Sequence, residues 1–375
     1  MNRRELIAAM LALGTLPLWP ASALAADKTP RWTRIAAAWR GPKESDPYFA
    51  GILLADWQTK SLSIDSAVKL PTRPHGICIE PDGHLLIVGV RPGTWLMRCD
   101  VQGNVLGQHS MLAENTRLNG HALLSADASK VFTSETELNT GRGLIGIRER
   151  DTLKKIASWD SWGIDPHQLA FDAQGHLMIA NGGVPRDAKD AKYDLHRMDS
   201  TLVRLDASNG QKLGLWRLPD QRLSMRHLAL ARRTDGSELL GLALQAEHGS
   251  EAARAAAPVF ALLVNDQLLI PSTENDGVGL SGDIVPALQG GFVLSCSKAN
   301  QALLWQAAAA STLSKTIEFK ETYALAAWPG PERGNGVLAA TAYGLVRWHP
   351  SAAGQFLPWP KPMALDNHWV VHSEG

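Results

Sequence analysis

Thr72–Gly103 reads TRPHGICIEPDGHLLIVGVRPGTWLMRCDVQG, and its punctuation decides the fold. His75 opens an alternating run, Gly76-Ile77-Cys78-Ile79, that stops at the turn Pro81-Asp82-Gly83. A second run, Leu85–Val90, stops at Pro92-Gly93, and a third, Thr94–Asp100, at Gln102-Gly103-Asn104. A fourth, VLGQHSML, starts at Val105. Short apolar runs broken by Gly, Pro, Asn and Asp are antiparallel strands joined by hairpins. Four of them make one up-and-down sheet.

The unit then recurs. His121 opens HALLSADASKVFTS, His167 opens HQLAFDAQGHLMIANGG and His227 opens HLALARRTDGSELLGLAL. Asp283 takes the place of His in DIVPALQGGFVLSCS, TYALAAWPGPERGNGVLAAT has small residues there, and His368 opens the last copy. The first four intervals are 46, 46, 60 and 56 residues. Four strands per repeat of roughly 40–50 residues is the pattern of a propeller blade. Seven openings predict an all-β, seven-bladed β-propeller. After His368 only one strand's worth of chain remains, whereas three strand-like runs, WTRIAAAWR, YFAGILLADW and SLSIDSAV, precede the first full blade. The last blade should therefore be closed by strands from both ends of the chain, which hides a sheet edge.

Residues 1–25 are expected to be an export signal and 26–375 a single propeller. Arg3 and Arg4 precede a mildly apolar stretch, and Ala23-Leu24-Ala25 supplies the small-residue cleavage pattern. The paired arginines point to the twin-arginine route, with general secretion as the alternative. No other stretch is long and apolar enough to span a bilayer, so the mature chain is expected to be periplasmic, monomeric and not membrane-spanning. Lys+Arg and Asp+Glu both number 37, so no long-range field favours nucleic acid. Cys78 and Cys99 fall on the first and third strands of one blade, about 9–10 Å apart and beyond disulfide reach. With Cys296 they are expected to be buried free thiols. No phosphate loop, Gly-x-Ser-x-Gly elbow, haem-attachment motif or Cys-x-x-Cys zinc motif is present.

The first strand of every propeller blade lines the central channel. His75, His121, His167, His227 and His368 share that position, with Asp283 on the fifth blade, so they should converge at one channel mouth. Imidazole is the commonest nitrogen ligand of iron, copper, zinc and nickel. A shared metal is expected to need at least three of the five, with blades one to four as the best group, and binding should weaken as pH falls through roughly 6.5. Arg73, Asn119, Asp165 and Asp366 stand two places before these histidines and Arg226 one place before; carboxylates and amides so placed commonly fix a ligand's tautomer. Loops between second and third strands reach the same face, two of them long (Gly182–Ser200 and Gln245–Pro258), and bring Arg142, Asn181, His196, Glu247 and His248 as further candidates. His84, His176 and His109 are expected to be surface residues.

In this order, RPHGI…RPG, GHALLS…TGRGLIGI, DPHQLAFDAQGHLMIANGG, MRHLAL and LDNHWV resemble an uncharacterised family of twin-arginine-exported bacterial propellers whose members carry only a domain-of-unknown-function label. The resemblance covers nearly the whole mature chain. It implies a periplasmic location and a tie to iron acquisition, since such proteins are typically encoded beside imelysin-like and di-haem peroxidase-like proteins. After Asn181-Gly182-Gly183 the family tends to continue with a Thr-His-Pro-Asp-like stretch; here Val184-Pro185-Arg186-Asp187 stands instead, a departure that bears on any ligand from that loop. The reading is a metal-binding protein for iron or copper working with such partners. The alternatives are a channel-mouth enzyme of lactonase or oxidoreductase type, or a protein-interaction scaffold.

Overall fold

Alternating apolar runs can bury one face only if another sheet covers it, and here each sheet is covered by the next. The computed structural model describes residues 31–187, 189–272, 277–328 and 336–372; the expected export signal lies outside the described residues. Among these, 28 strands form seven antiparallel four-stranded sheets. The first blade comprises Pro74–Ile79, Leu85–Gly89, Trp95–Cys99 and Val105–Ser110, as its turns predict. The inner strands of blades two to six are Thr116–Leu124, Pro166–Phe171, Leu223–Arg232, Asp283–Pro286 and Leu325–Trp328.

The seventh blade is closed by both ends of the chain, as expected. Its inner strand, Ala364–His372, pairs antiparallel with Trp32–Arg40, which is followed by Tyr48–Asp56 and Ser61–Lys69. Thr33 locks this junction: its hydroxyl accepts from the indoles of Trp57 at 2.8 Å and Trp328, on blade six, at 3.2 Å. The Arg347 guanidinium lies over both indoles at 4.6 and 4.7 Å.

The interior is a ring of small cores, one at each seam between neighbouring blades. Ala36 and Ile52 of the last blade pack with Ile77 and Leu85 of the first. Phe260 of the fourth packs with Phe292 and Trp305 of the fifth. Each core needs residues from two blades, so no blade can bury its own apolar face alone. Among the described residues no cysteine is in a disulfide; Cys99 and Cys296 are buried and Cys78 half-buried. Burial pushes the Cys78 and Cys99 thiols up to about 12, which leaves them unreactive. No helix among the described residues is long and apolar enough to cross a membrane.

Candidate metal centre

Five inner strands carry one of these histidines, and in all five the strand pairing is interrupted there. In blade one, His75 and Gly76 together oppose a single position, between the pairs Pro74–Gly89 and Ile77–Ile87. Asn119, Gly120 and His121 occupy the gap between Leu118–Glu135 and Ala122–Thr133. His167 and Gln168 lie between Pro166–Asn181 and Leu169–Ile179, and Arg226 is the extra residue between Met225 and His227. On the closing strand, Asp366, Asn367 and His368 fall between the residues paired with Trp39 and Ala37. The inner strands of blades five and six, which carry no histidine, pair without interruption. A bulge re-aims a side chain and bends its strand, and here it turns the imidazoles into the channel.

The five rings meet. All are buried, from 3% exposed at His227 to 8% at His75 and His368. His121 packs against His75 and His167 with ring centroids 4.8 and 4.5 Å apart, and His167 lies 4.8 Å from His227. The ring of His368 is 4.7 Å from those of His75 and His227 and 4.9 Å from that of His121. Ligating nitrogens of His75, His121, His167 and His227 all lie within 4.8 Å of one another, so these four could hold a metal ion. His368 stands beside them, its Nδ1 3.5 Å from Asp283 Oδ2. Gly120 makes room: its φ is +102°, and a Cβ there would sit 2.5 Å from the ring of His75.

Hydrogen bonding among the rings does not satisfy them. His167 Nε2 is 3.4 Å from His75 Nε2 and 3.1 Å from His227 Nε2. One ring nitrogen offers a single N–H or a single lone pair, so it can make a full hydrogen bond to one of these neighbours and leaves the other contact unmatched. Each ring also has a buried nitrogen with no hydrogen-bond partner: Nδ1 of His75, His167 and His227, and Nε2 of His121 and His368. Burial holds His75, His121, His167 and His227 well below the usual imidazole range. Neighbouring positive groups add to this, led by His368 for three of them and by Arg226 for His167. Their lone pairs therefore stay free below pH 6.5, and the pH at which protons displace a metal moves lower than an exposed imidazole predicts.

The residues just before the histidines do something other than expected. Asn119, Asp165 and Asp366 do not orient the histidine two places on; they clamp one blade to another. Asn119 donates to Pro166 O of the next blade at 2.9 Å. Asp366 takes a bidentate bond from Arg73 at 2.9 and 3.1 Å, which ties blade seven to blade one. Asp165 accepts from Arg91 and Arg226, both at 2.7 Å, joining blades one, three and four. Burial raises the Asp165 carboxyl, but Arg91, Arg226 and Arg186 outweigh it, and it stays below the usual carboxylate range. The bulges explain the change, because they break the alternation that would put residues i−2 and i on one face.

The loop candidates do not join the rings. Arg142 is half exposed at the rim, near Glu137 and Asp160. Asn181 is buried but donates to Ser161 O and Thr201 Oγ1. Glu247 is held by Lys192 at 2.6 Å, His196 lies 3.3 Å from Arg222, and His248 pairs with Asp220 at 2.9 Å. His84 and His176 lie in the turns between first and second strands and His109 on an outer fourth strand, half-buried beside Asp82, Asp172 and Glu114. A second acidic grouping, Glu80, Asp82 and His84, has its buried member committed to Arg98 through two bonds of 2.6 and 2.7 Å. Sequence reading passed over Arg91 and Arg186. The signals were an Arg-Pro-Gly turn after a second strand and the departure at Val184–Asp187.

Comparison with known proteins bears on the fold. The chain is similar to the periplasmic gluconolactonase of Pseudomonas aeruginosa (TM-score 0.58, 14% identity, covering 89% of this chain and 99% of that one). It is also similar to virginiamycin B lyase from Staphylococcus aureus (0.54, 11%, 77% and 85%) and to Kuenenia stuttgartiensis hydrazine synthase (0.53, 12%, 86% and 96%). At these identities the likeness is one of architecture. No curated protein sequence matches the chain. A family match covers residues 68–372, from the strand leading into His75 to the end of the closing strand. With all five ring histidines inside that span, the chain belongs to the family described as protein of unknown function, DUF1513.

Proposed function

We propose that this chain is a periplasmic metal-binding propeller, holding iron or copper through His75, His121, His167 and His227 and serving iron acquisition. The observation that carries the reading is four buried imidazoles whose ligating nitrogens lie within 4.8 Å of one another. Where the Nε2 of His167 faces two other Nε2 atoms, one contact is left unmatched, and an ion between the rings supplies the missing partner. Two nitrogens bound to one tetrahedral ion at about 2.0–2.1 Å are roughly 3.3–3.4 Å apart. The 3.1 and 3.4 Å separations around His167 are close to that spacing. An all-imidazole set suits copper, iron, zinc or nickel rather than calcium or magnesium. The preference for iron or copper, the periplasmic location and imelysin-like or di-haem peroxidase-like partners rest on the family resemblance. The gluconolactonase likeness brings no lactone chemistry with it, because fold does not specify function.

The test is elemental analysis of the protein purified from its native periplasm. About one equivalent of transition metal is expected. His121→Ala with His167→Ala should remove it while the circular dichroism of the propeller is kept. Unchanged metal content in the double variant would reduce the rings to channel packing.

A further inference from the structure

The chain is formally neutral, yet three guanidiniums crowd a single carboxylate on the face where the rings meet. Arg91 comes from the turn after the second strand of blade one, Arg186 from the corresponding loop of blade three, and Arg226 from the inner strand of blade four, next to His227. Around Asp165 they stand at 2.7, 3.7 and 2.7 Å respectively. Their side chains are 15%, 12% and 4% exposed. Asp190 adds a second carboxylate, 3.5 Å from Arg91 and 3.4 Å from Arg186. The local balance is three cations to two anions. Lys192 does not alter it, being paired with Glu247.

Counting donors sharpens the imbalance. A guanidinium carries five N–H groups. Arg226 uses Nη1 on Asp165 and Nε, weakly at 3.4 Å, on Gln245; Arg91 uses Nη1 on Asp165; Arg186 uses Nη1 on the Asp190 carbonyl. No Nη2 of the three donates to a described residue, and Arg186 Nε is buried without a hydrogen-bond partner. The cations also strain one another. Burial first, and then Arg91, draw Arg226 down to about 10, against a pull the other way from Asp165. Arg91 and Arg226 are close enough to the rings to lower the basicity of His121 and His227. Uncommitted guanidinium edges in a partly dry site match the paired oxygens of a carboxylate or phosphate.

We propose that Arg91, Arg186 and Arg226 form an anion site at the channel mouth that takes a small oxyanion, a carboxylate or a phosphate group, beside the histidine cluster. Under the metal-binding reading, on which this further step rests, that anion reaches the metal already held by the histidines. The anion site itself does not depend on a metal.

Calorimetric titration of inorganic phosphate, and separately of succinate, into the chelator-stripped mature protein tests it. One saturable site is expected, and the tighter of the two probes assigns phosphate or carboxylate. Arg186→Gln should weaken binding by about tenfold or more, and Arg91→Gln with Arg186→Gln should abolish it. Metal content should be unchanged in both variants. No saturable binding up to about 10 mM, or equal affinity in Arg186→Gln, overturns the proposal. If the double variant fails to fold, the single one carries the test, because Arg186 makes no hydrogen bond to Asp165. Anion binding without stoichiometric metal would sink the metal reading and leave this site standing; metal without anion binding would do the reverse.

Discussion

Acid should destabilise the metal-free propeller through the four rings, in a pH window where its carboxylates are silent. His75, His121, His167 and His227 are neutral in the folded chain well below the pH at which an exposed imidazole titrates. In the unfolded chain they take up protons near pH 6.5. Between that pH and their depressed folded values, the unfolded state binds more protons than the folded one. Stability is therefore full above about pH 6.5 and falls as the pH drops below it. A histidine charged only in the unfolded state contributes up to about 1.4 kcal/mol per pH unit, and four contribute at most about 5–6. Native domains hold only about 5–15 kcal/mol in total. Paired carboxylates act with the same sign but lower, around pH 4 and below. The assay is urea unfolding of chelator-stripped protein at pH 7.5, 6.5 and 5.5, beside the His121→Ala, His167→Ala variant. The midpoint should drop steeply between the last two values, and about half as steeply in the variant, where two of the four groups are gone. Metal should blunt the loss, since a ligand that binds only the folded state at 1,000 times its Kd adds about 4 kcal/mol. A stripped protein equally stable at pH 5.5 and 7.5, or a variant with an undiminished slope, would refute the reasoning.

Two further outcomes follow from the ends of the chain. Deleting Asp366–Gly375 removes Trp369, 3% exposed and worth about 3–5 kcal/mol, together with the Arg73–Asp366 clamp and most of the pairing to Trp32–Arg40. The thermal midpoint should fall markedly, and an unchanged melt would show that the ring does not need this closure. Arg3→Lys with Arg4→Lys should stop periplasmic accumulation while folded protein builds up in the cytoplasm, read by fractionation and immunoblot; normal export would indicate the general secretory route.

The architecture was readable because each blade repeats the same punctuation. Pro81-Asp82-Gly83 and Pro92-Gly93 set strand lengths, and the recurring histidine sets the phase. The closure was readable because the ends supplied one strand and three. What lay beyond the sequence was the bulge at each histidine. A two-residue period places Asn119 and His121, or Asp165 and His167, on one face, and from that the preceding residues were expected to orient the rings. One or two extra residues in the pairing separate them. Arg91 and Arg186 were missed for a related reason: with Arg226 they lie 95 and 40 residues apart in the chain, and only the folded ring brings them onto Asp165.

The bulges also answer how a wide ring brings its imidazoles together at one point. Side chains standing perpendicular to seven regular inner strands would line a channel and leave its axis open. Here His227 of blade four and His368 of blade seven come from nearly opposite sides of the ring, yet their rings are 4.7 Å apart. His75 and His121 touch that same His368 ring. The imidazoles therefore fill the channel at this level rather than line it. Blades five and six, with regular inner strands, send no imidazole inward; Asp283 reaches His368 Nδ1 and the Leu325 amide instead. The four histidines that could hold a metal thus come from blades one to four, with His368 beside them. A bulge, a buried imidazole and a clamp to another blade recur at one level of the ring, and the first two would weaken an ordinary inner strand. Their joint occurrence on the histidine blades, and the missing bulges where the histidine is missing, tie the distortion to bringing the imidazoles together.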